Sequence, residues 1–354
     1  MKKSIIYLFA GTLLLSACKD DGEGEESCST AFNFTSGAVV VNEGAYNGTG
    51  SLSHIDLTTN EVTNFIYEDA NCDVPAGNVV QSIAINGEKG YIVANGSGEV
   101  HVVNLSTFKQ EKTIALSYPR YIAFEGEKGF ISNGTSDGKV FVINSSNVVT
   151  DTIQVATGPE GIFATGGKIV VGCTGYWNGD LFTTIVDSVV AIIDPSDLSV
   201  TNVNAWDKPT DFVEDKNGAV WVSCAGNKDY DNGADKAPAF VKLNVDNGVA
   251  EDTIIVGEVG ESISKITINE VGDIIYYFKG DGVYRIGING EYVNEEALIS
   301  GTFYGVEVDP TSGNILTFDA KDYSADGVVG IYSAAGDSIT QYSVGVAPNG
   351  ALIK

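Results

Sequence analysis

VVQSIAINGEKGYIVANGSGEVHVVNLSTFKQEKTIAL, residues 79–116, reads as four short strands separated by turns. Ile83, Ala84 and Ile85 form the first strand, and residues 87–90 turn into a second over 91–94. Asn95-Gly96-Ser97-Gly98 turns into a third over 101–105, and Ser106-Thr107 leads to a charge-alternating fourth that ends at Leu116. The inner strands are nearly continuous apolar runs, so both faces of this meander must be covered. Neighbouring copies of the same unit would cover them.

The copies are present. Residues 119–156 repeat the unit strand for strand: YIAF answers SIAI, GEKGFIS answers GEKGYIV, GKVFVIN answers GEVHVVN and DTIQVA answers EKTIAL. Later copies start near Pro159, Pro209, Ser262 and Phe303, with strand cores KIVVGC, AVWVSC, IIYYF and NILTF. An incomplete first copy opens at Ala38 with VVVNEG, which makes seven units of roughly 45 residues, the period of propeller blades. That first copy lacks an innermost strand, while VAPNGALI, residues 346–353, looks like a blade opening with no blade after it. The reading is an all-β, seven-bladed β-propeller over residues 37–354, its ring closed by the C-terminal strand supplying the inner strand of blade one. The 42 glycines and 43% hydrophobic residues fit many tight turns around a large core, and no long amphipathic helical segment is found.

The N-terminus reads as an address. Lys2 and Lys3 precede an apolar run over 5–15 that is too short to span a bilayer, followed by Leu15-Ser16-Ala17-Cys18. This resembles a bacterial lipobox, which implies a signal peptide over 1–17, cleavage before Cys18 and lipidation of its sulfur. Residues 18–36 would be an acidic, flexible tether. Its KDDGEGEE start resembles the export signal of Bacteroidetes surface lipoproteins, which implies an outer-membrane protein, lipid-anchored and facing the cell exterior. The net charge of -27 makes nucleic acid and anionic membrane surfaces poor partners and keeps an exported protein soluble.

Four cysteines remain after Cys18: Cys28, Cys72, Cys173 and Cys224. An oxidising compartment permits three pairings. A Cys28–Cys72 bridge would pin the tether to the blade that needs closure and contribute about 4 kcal/mol through loop entropy. Cys173 and Cys224 occupy matching ends of second strands in neighbouring blades, where the separation opposes a bond.

Function is expected where the repeats differ. The turn between second and third strands is short in blades two (NGSG) and six (KGDG). It is long in blades one (NEGAYNGTGS), four (CTGYWNGDLFTTIVDS), five (CAGNKDYDNGADKAPA) and seven (DAKDYSADG). These turns share one face and should form a crown around the channel mouth. The crown would carry Tyr46, Tyr176, Trp177, Phe182, Tyr230 and Tyr323 beside Asn47, Asn178, Asp180, Asn227, Asp229, Asp231 and Asp322. Aromatics interleaved with amides and carboxylates suit a ligand with a broad apolar surface and polar edges. The inner strands begin at the same mouth with Gln81, Arg120, Glu160, Thr210, Ser262, Tyr304 and Asn349, a polar floor that would orient such a ligand.

Catalytic signals are sparse. His54 and His101, the only histidines, lie inside third-strand patterns and read as core. No nucleophile elbow, zinc helix or triad grouping is found, and no cofactor or metal is assigned. Residues 229–235, DYDNGAD, vaguely resemble a calcium loop without its bidentate Glu and read as a polar turn.

The blade pattern VHVVNLSTFKQEKTIAL, with VFVINSSNVVTDTIQVA and VVAIIDPSDLSVTNVNA, resembles YncE-like (YVTN-type) propellers across nearly all of 38–354. With the lipoprotein start and the VNEGAYNGTGSLSHID opening, it looks most like the cobalamin-capturing BtuG family of Bacteroidetes. The resemblance implies a non-enzymatic binder that takes cobalamin or another corrinoid as transported ligand and hands it to a BtuB-like TonB-dependent outer-membrane transporter. No ligand-contact motif transfers residue by residue. Two other classes fit the same architecture: a glycan-binding or protein-scaffolding surface propeller, and a metal-dependent lactonase or lyase using Glu160 and Asn349 around a channel cation.

Overall fold

A computed structural model of the chain describes residues 32–228, 234–291 and 296–354. Seven four-stranded antiparallel sheets form the ring. Blade two comprises Val80–Asn86, Lys89–Ala94, Glu99–Asn104 and Gln110–Ala115, inside to outside. Blade three starts at Pro119–Glu125, blade four at Pro159–Thr165, blade five at Pro209–Glu214, blade six at Ile263–Ile268 and blade seven at Gly305–Val308. Blade one takes Ala38–Asn42, Ser51–Ile55 and Val62–Asn64 from the start of the chain and its innermost strand, Pro348–Ile353, from the end. That strand pairs with Ala38–Asn42, and Gly37 and Lys354 exchange both backbone hydrogen bonds at 2.8 and 3.0 Å. Closure pairs the first strand on both sides and gives blade one the inner strand that the other blades have.

The apolar runs are buried because every sheet packs on two neighbours. Alternate residues of one strand serve different interfaces: Ala38 and Val40 join Leu316 and Phe318 of blade seven, whereas Val39 and Val41 join Ile92 and Val103 of blade two. The same division recurs around the ring, with Tyr91 and Val93 against Ile131 of blade three and Phe240 of blade five against Tyr277 of blade six. Removing one blade would therefore uncover two apolar faces.

One element departs from the repeat. Ile66–Ala70 is a five-residue α-helix after blade one, with Ile66 and Tyr67 fully buried. Asn71 fixes it to blade two, donating to the carbonyls of Tyr67 (2.7 Å) and Phe108 (2.9 Å) and accepting from the Gln110 N–H (2.8 Å). Neighbouring Cys72 is disulfide-bonded. Its expected partner, Cys28, lies outside the described residues, as do the expected signal segment, the expected lipidation site Cys18 and most of the expected tether. Cys173 and Cys224 are free and fully buried. Burial pushes the Cys173 thiol up to about 12 and the Cys224 thiol up as well, which makes both inert packing residues.

Candidate functional site

The inner strands do not run straight into the channel. In blades two to six and in the closing strand, the ladder slips at the mouth end and leaves one or two residues unpaired. The skipped residues are Gln81, Arg120-Tyr121, Glu160-Gly161, Thr210, Lys265 and Asn349. Such bulges re-aim side chains that the strand's two-residue period would turn into a blade interface. In blade seven Tyr304 stands at the matching place, its N–H bonded to Phe318 O just before the strand.

All of these but Gly161 and Asn349 line a cavity of about 550 Å³ at one end of the channel, together with Tyr118, Asp211 and Ser264. Glu43, Val79, Asn95, Gly96, Thr174, Lys208 and Ala225 complete the wall. Glu43, Asn95, Thr174 and Ala225 lie at the start of second-to-third-strand turns, so these turns and the inner-strand openings meet at one mouth, as expected from the repeats.

The polar groups are cross-linked around and across this mouth. Arg120 grips Glu160 with Nε at 2.8 and 3.0 Å from the two carboxylate oxygens and Nη2 at 2.6 Å. Burial weighs against the Arg120 charge, but Glu160 outweighs it and holds the guanidinium above its usual pKa. Glu43 accepts from the Tyr304 hydroxyl and the Asn349 amide, both at 2.8 Å, and Asn349 also donates to Gln81 O at 3.1 Å. The Gln81 amide donates to the Tyr121 hydroxyl at 3.1 Å, and Lys265 Nζ reaches the same oxygen at 3.0 Å. Tyr121 belongs to blade three and Lys265 to blade six, so this bond spans the channel at the widest separation a seven-membered ring allows.

Lys265 reaches that position from a left-handed backbone (φ 48°), a conformation unfavourable for any residue with a Cβ. Burial opposes its charge, and Tyr121 and Asp211 beside it more than offset this, so its pKa lies above the ordinary lysine value. Asp211 accepts from the N–H groups of Phe212 (2.9 Å) and Ile266 (3.2 Å), and burial, partly countered by Lys265, raises its carboxyl. Next to this pair, burial and then Asp211 push the Glu307 carboxyl up to about 8.

Sequence reasoning placed six of the seven inner-strand positions. In blade six it named Ser262, but the bulge falls three residues later and Lys265 takes the position. It also missed Tyr121 and Asp211, because a bulge presents consecutive residues to the channel where strict alternation predicts one. The available signal was the alignment of PR-YIAF, PE-GIFA and PT-DFVE, whose position after the proline leads the bulge in all three blades.

The crown residues have diverse fates. Tyr46 is 93% exposed, and Asn47 beside it is exposed at φ 61°. Tyr176, Trp177 and Asn178 lie on Gly175–Asn178, which pairs with Thr183–Val186 in a separate hairpin above blade four. Trp177 and Phe182 are exposed, while the Asn178 side chain accepts from the N–H groups of Asp180 and Leu181 and is spent on the hairpin turn. None of these six lines the cavity. Tyr323 does not line it either but packs edge-on against Tyr304 (centroids 5.3 Å apart) at its lip. Asn349 is buried and positions Glu43 and Gln81 rather than facing the cavity. Asp229, Tyr230, Asp231 and most of the 229–235 loop lie outside the described residues.

The histidines sit away from the mouth. His101 is buried, which lowers its pKa, and His54 contacts Ser36 O at 2.8 Å between the rings of Phe32 and Phe34.

Among solved structures, the chain is similar to a quinonprotein-alcohol-dehydrogenase-like protein from Bacteroides thetaiotaomicron. The TM-score is 0.70 at 17% identity, over 91% of this chain and 79% of that one. It is also similar to the hydrazine synthase of Kuenenia stuttgartiensis, with a TM-score of 0.57 at 13% identity, over 75% of this chain and 87% of the other. At these identities the likeness carries the propeller fold alone. No curated protein matches. A family model matches residues 36–346, nearly the whole ring, and the chain belongs to the family it describes, Domain of unknown function (DUF5074).

Proposed function

We propose that this propeller is a surface lipoprotein that captures a small molecule at the channel mouth, without chemistry of its own, and passes it to a TonB-dependent outer-membrane transporter. Cobalamin or another corrinoid is the ligand we assign. The observation that carries the reading is the mouth itself: six unlike inner-strand positions line one cavity, with Tyr118, Tyr304 and Tyr323 at its lip and Trp177 and Tyr46 exposed on the turns. A cavity of about 550 Å³ suits a drug-sized ligand or one end of a larger one, so a corrinoid would rest across the mouth with one edge inserted. Flat aromatic surfaces among amides and hydroxyls match a wide ring edged with amide groups.

Two contacts weigh against the lactonase or lyase alternative. Glu160 is already neutralised by Arg120, and the Asn349 amide is engaged by Glu43 and Gln81. Among the described residues no cluster of three or more His, Cys, Asp or Glu is arranged to hold a metal.

Calorimetric titration of the purified full chain with cobalamin tests the reading. Saturable heat with a Kd at or below about 1 μM, accompanied by quenching of tryptophan emission, is expected. Absence of both signals at that concentration removes the corrinoid.

A further inference from the structure

The donors and acceptors of the mouth do not balance. Glu160 is held by Arg120, Glu43 by Tyr304 and Asn349, and Asp211 by two backbone N–H groups. Each carboxylate lining the cavity thus already has protein donors. The donors are not all spent. Lys265 carries three N–H bonds, yet its ammonium has one hydrogen-bond acceptor among the described residues, the Tyr121 hydroxyl. That hydroxyl oxygen already accepts from both Lys265 and Gln81, so its own proton must point elsewhere, and no acceptor for it lies among the described residues. Arg120 uses Nε and Nη2 on Glu160, leaving Nη1 without an acceptor there. All three residues line the same cavity.

We infer that the mouth is an anion-accepting subsite, in which a carboxylate or phosphate group of the bound molecule is held by Lys265, the Tyr121 hydroxyl and Arg120. The inference rests on the reading of the mouth as a capture site and names the chemical class of its ligand. The strained backbone of Lys265 fits this role, since it turns the ammonium across the channel to Tyr121 instead of into a blade. Asp211 beside Lys265 helps keep it charged without occupying its spare donors. The protein's net charge of -27 makes the site short-ranged: it selects an anion already delivered to the mouth and does not steer one from afar.

Melting curves of the full chain in inorganic phosphate or acetate, compared with chloride at equal ionic strength, test this directly. Phosphate, acetate or both should raise the Tm of the wild type above chloride, and Lys265→Met should weaken the response by about tenfold or more in apparent affinity. A phosphate-only response assigns a phosphate ester; a response to acetate assigns a carboxylate. No rise above chloride in the wild type, or an undiminished rise in Lys265→Met, overturns the inference. Should Lys265→Met fail to fold, Tyr121→Phe, which keeps the ring, must lower the affinity, and an unchanged value overturns the inference equally. Cobalamin binding without any anion response would leave the corrinoid reading standing and the subsite refuted. An anion response without cobalamin binding would do the reverse.

Discussion

At the rim of the channel, Gln81 is 6% exposed and bonded to Tyr121, Arg120 is locked on Glu160, and Glu43 holds residues from blades one and seven together. A few residues away on the crown, Tyr46 is 93% and Phe182 77% exposed, and the blade-four hairpin is a two-stranded ribbon outside the blade sheets. Both regions lie at the same end of the ring, yet one is pre-organised and the other is held by little beyond its own turn. On the proposed reading of the mouth as a capture site, the difference separates two tasks. A rigid polar floor fixes orientation at low entropic cost, while exposed aromatics supply area that becomes favourable once a ligand covers it.

The rim depends on the ring, and the largest expected effect follows from opening it. Deleting residues 348–354 removes the inner strand of blade one together with Asn349. The cooperative thermal transition should disappear and the chain should aggregate through the uncovered strand. Replacing the hairpin residues 176–185 by a short Gly-Ser turn should move the Tm by less than a few degrees. Equal losses from both deletions would break the comparison.

Within the rim, Arg120→Ala leaves Glu160 half-buried without its cation and should cost about 3 kcal/mol in chemical denaturation. The double variant Arg120→Met with Glu160→Leu should lose less than the single one. A strictly additive loss would mean that the pair is solvated and the rim looser than described.

Glu307 provides a pH signature for the channel alone. Its carboxyl is raised to about 8, whereas an unfolded glutamate titrates near its ordinary 4.5. Between those values the folded chain retains a proton that the unfolded chain releases. This group therefore lowers stability as the pH rises from about 4.5 to 8, with its full cost above 8. Glu307→Gln should flatten that part of the Tm profile relative to wild type and leave pH 4 values nearly unchanged. A parallel profile would place Glu307 in open water.

The architecture was legible because repetition makes each blade a control for the next: SIAI and YIAF identify an inner strand together where neither does alone. Closure was legible because VAPNGALI had no blade to open. The site was only partly legible. Lys265 sits in ESISKITI, which lacks the proline that marks the bulge in blades three, four and five, so its register could not be read by alignment. Tyr121 and Asp211 were hidden by a local violation of the strand period. Asn178 and Asn349 have the composition of ligand contacts but serve a turn and a neighbouring carboxylate, a choice that depends on three-dimensional proximity.

The smallest effect belongs to the crown. Trp177→Ala should change stability by less than about 0.5 kcal/mol, because the indole is mostly in solvent, while weakening cobalamin binding by about tenfold. Unchanged affinity would assign Trp177 to contact with another protein instead.

Hydrogen–deuterium exchange of the full chain with and without cobalamin tests the central claim most directly, since it reports where capture occurs and not only whether. Protection is expected at residues 79–82, 118–121, 264–265 and 304, the openings of the inner strands, and at the 173–188 hairpin. Protection confined to the opposite turns, residues 86–89, 125–128 and 194–197, would contradict capture at the mouth, as would an exchange pattern that cobalamin leaves unaltered.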